Sequence, residues 1–113
     1  MALLKDEVQN EVRERFKKLT GPVRLVNFTQ KIECHHCEET RRLIEEIASL
    51  SSKINSQVYN FALDKERAQQ YKIDKIPAVV VEAEKDYGIR FFGIPGGYEF
   101  NSFISAIYDV SRK

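Results

Sequence analysis

Residues 23–50 read VRLVNFTQKIECHHCEETRRLIEEIASL, and the fold turns on how this stretch divides. Val23 to Thr29 is short, rich in β-branched and apolar residues, and bounded by Gly21-Pro22 before it and the polar Gln30 and Lys31 after it, which predicts a buried strand. From Glu38 onward Leu43, Ile44, Ile47 and Leu50 keep helical spacing beside Glu38, Glu39, Arg41, Arg42, Glu45 and Glu46, so an amphipathic helix follows. Cys34 and Cys37 fall between the two, where a strand feeds a helix.

Two cysteines at i and i+3 at the start of a helix lie one turn apart, so the first meets solvent while the second points back toward it. That spacing closes a small disulfide ring. The helix N-terminus adds unpaired backbone N–H groups and the positive end of the macrodipole, which favour a thiolate over a thiol. Cys34 is the expected nucleophile: it attacks a substrate disulfide to form a mixed disulfide, which Cys37 resolves. His35 and His36, both histidines of the chain, lie between the cysteines, where an imidazolium favours the thiolate and makes the disulfide more oxidising. The plainer reading leaves both rings solvated on a loop. Cys34, Cys37 and one histidine also offer three ligands to zinc. Side chains adjacent in one helical turn rarely converge tetrahedrally, and no second Cys-x-x-Cys or His pair occurs, so the expectation is redox chemistry without a metal.

Upstream, Leu4, Val8, Val12 and Phe16 recur every four residues and mark one apolar stripe on a first helix, which Gly21 and Pro22 end. Downstream, Gln57 to Leu63 alternates as a strand, Asp64 caps a short helix through Tyr71, and Ala78 to Glu82 forms a valine-rich strand. Asp86, Tyr87 and Gly88 make a turn into a strand from Ile89 to Phe92, and Phe100, Phe103, Ile104 and Ile107 describe a closing helix. Helical crossovers then join the first three strands and a hairpin joins the last two, giving an α/β fold with a mixed four-stranded sheet flanked by helices.

The chain has 113 residues, 42% of them hydrophobic and 31% charged, and its 18 Lys plus Arg against 17 Asp plus Glu leave a net charge of +1. That balance fits one folded domain over residues 1–113, with an N-terminal helix in 1–20 and a core in 22–113, and argues against a polybasic nucleic-acid surface. Five Gly and three Pro are too few for a linker or a low-complexity tract. The longest apolar stretch, Ile76 to Val81, falls far short of the roughly 20 residues a spanning helix needs, so no membrane association is expected. Lys5, Asp6 and Glu7 directly after Leu4 leave no signal-peptide core, and a cytoplasmic location is expected.

Cys34-His-His-Cys37 after a strand, Ile76-Pro77 before the Val79 to Val81 strand, and Gly93-Ile-Pro-Gly-Gly-Tyr-Glu-Phe100 together resemble the thioredoxin fold. More closely, they resemble the N-terminal unit of the glutaredoxin-like protein disulfide oxidoreductases of thermophilic archaea and bacteria, and the similarity covers nearly the whole chain. The resemblance implies a thioredoxin-like fold with an extra N-terminal helix. It also implies a cis Ile76-Pro77 bond facing Cys34, with the Ile76 backbone pairing to an extended substrate; from local sequence alone, Pro77 equally well just begins a strand. Gly96-Gly97 match the glutaredoxin-like position where backbone N–H groups receive a carboxylate, as on glutathione, although a plain turn fits equally well and Glu99 sets a negative charge beside it. Thioredoxins usually carry Trp before the first cysteine and a buried acid in the preceding strand. Here Glu33 and Asn27 stand in the corresponding places, and the base for Cys37 is unassigned. Members of the family typically carry two such units in tandem.

The leading expectation is a dithiol–disulfide oxidoreductase that reduces, forms or isomerises protein disulfides, with no cofactor beyond the Cys34–Cys37 pair. Its rival is a dedicated electron-relay domain for a peroxiredoxin or flavoprotein reductase, and a redox-inactive binding domain is the third reading. The partners implied are protein disulfide and dithiol substrates, a thioredoxin-reductase-like flavoprotein, and a second thioredoxin-like domain.

Overall fold

The computed structural model describes residues 4–31, 34, 36–93 and 98–112. Helix α1 (Asp6–Phe16) buries Val12 and Phe16, and Leu4 packs against the same core from just ahead of the helix. Strand β1 (Val23–Thr29) leads through the cysteine segment into α2 (Cys37–Ala48). There follow β2 (Ile54–Asn60), α3 (Lys65–Gln70), β3 (Ala78–Glu82), β4 (Asp86–Phe92) and α4 (Tyr98–Ser111).

The four strands form one mixed sheet in the order β2-β1-β3-β4. β1 runs parallel to β2 and antiparallel to β3, and β3 is antiparallel to β4. β1 and β3, in the middle, are covered on both faces, which is why VRLVNFT and AVVVE read as apolar runs. On one face Leu25, Val79 and Val81 pack with Val12 and Phe16 of α1, Ile44 and Ile47 of α2, and Phe103 and Ile107 of α4. On the other, Val26, Phe28 and Val80 pack under Ala68, Tyr71 and Ile73 from α3 and the segment after it. This is the thioredoxin-like arrangement, with α1 added to the α2 and α4 layer.

Two strands lie elsewhere than their hydrophobic patterns indicate. β2 occupies 54–60, not 57–63, because Asn60 ends it: its Oδ1 accepts the Ala62 and Leu63 N–H groups, and the Asp64 carboxylate accepts the Asn60 N–H at 2.8 Å. Leu63 is then 82% exposed in the turn. Asp64 holds the N-cap position of α3 but turns its side chain back to Asn60, so it makes no side-chain cap. β4 begins at Asp86, with the turn at residues 83–85 and Glu82 paired to Asp86. Gly88 is a strand residue at φ +85°, on β4 where its pairing with β3 slips between Val80 and Glu82; a β-bulge of this kind favours glycine.

Candidate functional site

Sheet register brings three connections to one end of the molecule. Phe28 of β1 pairs with Ala78 of β3, so the segment leaving β1 toward Cys34 departs beside the Ile76-Pro77 segment that enters β3. Ala78 also pairs with Phe92, and the Gly93 N–H donates to the Pro77 carbonyl at 2.8 Å, so the chain leaves β4 at the same end. The Ile76-Pro77 peptide bond is cis, Pro77 is buried, and Ile76 is half-buried against the α3-side core.

Cys34 and Cys37 are joined as a disulfide with their Cα atoms 5.6 Å apart. The helix starts at Cys37, one residue earlier than the sequence pattern indicates, and the chain turns into it through His36 at φ 69°. Cys37 therefore faces the core at 1% exposure, whereas Cys34, ahead of the helix, is half-buried. His36 makes no side-chain cap, so its imidazole does not cover the first N–H groups of α2. Its ring is turned outward instead, with Nδ1 3.9 Å from a Glu39 carboxylate oxygen and both side chains 61% exposed. The positions expected at His35, Gly96 and Gly97, together with Glu33 and Pro95, lie outside the described residues.

Three further features belong to the site. Asn27 and Thr40 are fully buried, and Asn27 Oδ1, Asn27 Nδ2 and Thr40 Oγ1 have no hydrogen-bond partner. Asn27 stands out in sequence as a polar residue inside an apolar strand, but Thr40 reads as part of a charged helix face. The third is a groove of about 900 Å³ beside Cys34, running between the first turns of α2 and the open edge of β2, with Lys31, Glu38, Arg41, Val58 and Asp64 in its walls. Arg41 is held there by Glu45 at 2.7 Å. Among the described residues, no group of three or more His, Cys, Asp or Glu is placed to hold a metal ion. None of their helices is long and apolar enough to cross a membrane.

At the opposite end of β3 two groups are held away from their ordinary ionisation. Burial, reinforced by a hydrogen bond to Glu82, pushes the Tyr71 phenol up to about 12. A hydrogen bond from Arg90 holds the Asp86 carboxyl below the usual range.

No protein-family model matches the sequence. A curated "NADH dehydrogenase" of Ferdinandcohnia aciditolerans is 27% identical over 114 residues, covering 98% of this chain and 19% of its own length. Among solved structures, the N-terminal domain of the alkylhydroperoxide reductase AhpF from Enterococcus faecalis is similar, with a TM-score of 0.87 and 30% identity over 96% of this chain and 53% of that one. A protein disulfide oxidoreductase from Aeropyrum pernix also reaches 0.87, at 25% identity over 99% of this chain and 50% of that one. A Halobacterium salinarum thioredoxin, 14% identical with a TM-score of 0.64 over 97% of this chain and 88% of that one, shares the fold. The structural neighbours are thus thioredoxin-fold proteins, protein disulfide oxidoreductases among them. The chain spans about half the length of the first two solved structures and a fifth of the curated relative.

Proposed function

We propose that this chain is a thiol–disulfide oxidoreductase unit in which Cys34 attacks and Cys37 resolves. The carrying observation is the asymmetry of the pair: the disulfide joins a half-buried Cys34 to a Cys37 that is 1% exposed at the N-terminus of α2. In the reductive direction the Cys34 thiolate attacks one sulfur of a substrate disulfide. The S–S bond breaks, and the departing sulfur takes the electron pair and a proton. Cys37, deprotonated, then attacks Cys34, closing the Cys34–Cys37 bond and releasing the second substrate sulfur as a thiol. The substrate gains two electrons and the pair loses them; reversed, the same steps oxidise a dithiol.

Ile76-Pro77 enters β3 at the end of the sheet where β1 leads to Cys34, and an extended substrate segment is proposed to lie against it. The electrons reside in the two sulfurs, so the exchange asks for no further cofactor on this chain. His36 is proposed as a modest tuner, since Glu39 beside it offsets an imidazolium charge.

The test is dithiothreitol-driven reduction of insulin. The wild-type chain is expected to accelerate it and Cys34→Ser to lose the effect, while Cys37→Ser accumulates a mixed disulfide on Cys34. Activity retained by Cys34→Ser would sink the reading.

A second reading rests on the 30% identical domain of the Enterococcus faecalis alkylhydroperoxide reductase. On that reading the unit relays electrons from a flavoprotein to one dedicated partner. Poor insulin reduction combined with fast reduction of the disulfide by a thioredoxin-reductase-like flavoprotein would favour the relay.

A further inference from the structure

Cys37 and Thr40 stand one helical turn apart on the buried face of α2, at 1% and 0% exposure. Asn27 reaches the same layer from the sheet. Alternation along β1 puts it on the side of Leu25, which packs with Leu43, Ile44 and Ile47 of α2. It pairs with Val79, two residues beyond Pro77, at the end of the sheet where β1 leads to Cys34. Three polar atoms of these two side chains have no hydrogen-bond partner in this otherwise apolar layer. Leaving a buried amide or hydroxyl unpaired costs about 1–3 kcal/mol, and leucine and valine would fill nearly the same volumes without that cost.

In the disulfide form the Thr40 hydroxyl and the Asn27 amide have no partner, and the Cys37 sulfur, neutral and bonded to Cys34, is a far weaker acceptor than a thiolate. Once that bond opens, Cys37 carries a thiol or thiolate shielded from bulk water, and a buried anion of this kind is stabilised only by donors aimed at it. Resting on the reading that the pair cycles between dithiol and disulfide, we propose that Asn27 and Thr40 are positioning residues for Cys37. The Thr40 hydroxyl and the Asn27 amide donate hydrogen bonds to its sulfur in the dithiol and mixed-disulfide states, directly or across one enclosed water.

In the resolving step Cys37 loses its proton to solvent, its thiolate forms the bond to Cys34, and the Cys34–substrate bond breaks. The departing substrate sulfur takes the electron pair and a proton. A carboxylate at this depth would act as a base and repel the thiolate; a neutral amide and hydroxyl act by stabilising the charge where it develops. Because they favour the reduced form over the oxidised one, they make the disulfide more oxidising.

The test compares wild type, Thr40→Val, Thr40→Ser and Asn27→Leu, each equilibrated with glutathione redox buffers, with thermal unfolding of the oxidised and reduced forms measured separately. Thr40→Val is expected to shift the equilibrium about tenfold toward the disulfide, a potential about 30 mV more negative. Its oxidised form should be at least as stable as wild type and its reduced form less stable. Asn27→Leu should shift the potential in the same direction, and Thr40→Ser should keep the wild-type value. A purely structural role would move both forms together and leave the potential unchanged, so a wild-type potential in Thr40→Val overturns the proposal even where Asn27→Leu fails to fold. A wild-type pair that does not exchange with glutathione at all overturns the oxidoreductase reading, and this proposal with it.

Discussion

Cys34 and Cys37 are chemically identical and three residues apart, yet one is half-buried ahead of α2 and the other is sealed at 1% exposure within it. A reagent approaching the reduced protein meets Cys34 first. Iodoacetamide at neutral pH, with the labelled peptides identified by mass spectrometry, is expected to modify Cys34 well before Cys37; faster labelling of Cys37 would reverse their roles. The cysteine pair was legible in sequence because its chemistry lies in its spacing and in the strand-to-helix context on either side. His36 was legible as a neighbour of the thiolate, with a solvated ring as the plainer reading; the choice between them rests on a left-handed turn at a non-glycine residue, which no local pattern announces. Asn27 was singled out by the resemblance, as the residue that stands where thioredoxins carry a buried acid. Thr40 was not, because whether a helical threonine is solvated or sealed depends on what packs over it.

At the level of elements, the sequence was informative where burial is two-sided and misleading where it is not. β1 and β3 were read with the bounds they have; both are central strands, and their residues are mostly apolar on both faces. β2 and β4 are edge strands, and there polar side chains decide the ends: Asn60 and Asp64 close β2, while Asp86 pairs in β4 and accepts the Gly88 N–H at 2.9 Å. Apolar periodicity carries no record of such bonds. The attachment of α3 to the sheet is likewise polar as well as apolar. Glu82, beside the Tyr71 phenol, is met by Arg24 across the strand pair at 3.1 Å, and Arg90 donates to the Tyr71 carbonyl at 2.9 Å. The raised phenol makes this clamp sensitive to base. Its stabilisation is complete below the unfolded tyrosine value of about 10, and is lost as pH rises through the folded value of about 12. Tyr71→Phe is expected to lower stability at neutral pH and to flatten the decline in stability above about pH 10. Urea unfolding across that pH range measures both; an unchanged alkaline decline in the variant would place its origin elsewhere.

For the whole molecule, what matters is whether α1 is a cap added to a self-sufficient core or part of the core itself. Val12 and Phe16 are 2% and 3% exposed in the same cluster as Leu25, Val79, Ile44 and Phe103, so α1 covers surface that the sheet and its helices would otherwise leave to water. The connection after α1 is tied to the far end of the chain as well: the Thr20 hydroxyl donates to the Ser111 carbonyl at 2.6 Å, and a Cβ on Gly21 would stand only 3.0 Å from that same oxygen. Such sharing predicts one cooperative transition. Phe16→Ala, which empties a ring-sized volume between α1 and the sheet, is expected to destabilise the chain by about 3–5 kcal/mol. Far-UV circular dichroism, near-UV tyrosine signals and the accessibility of Cys37 after reduction should all report the same shifted midpoint. If α1 instead melted first while Cys37 stayed shielded, the helix would be an appendage. The layer that encloses the redox pair would then be built by α2, α4 and the sheet alone.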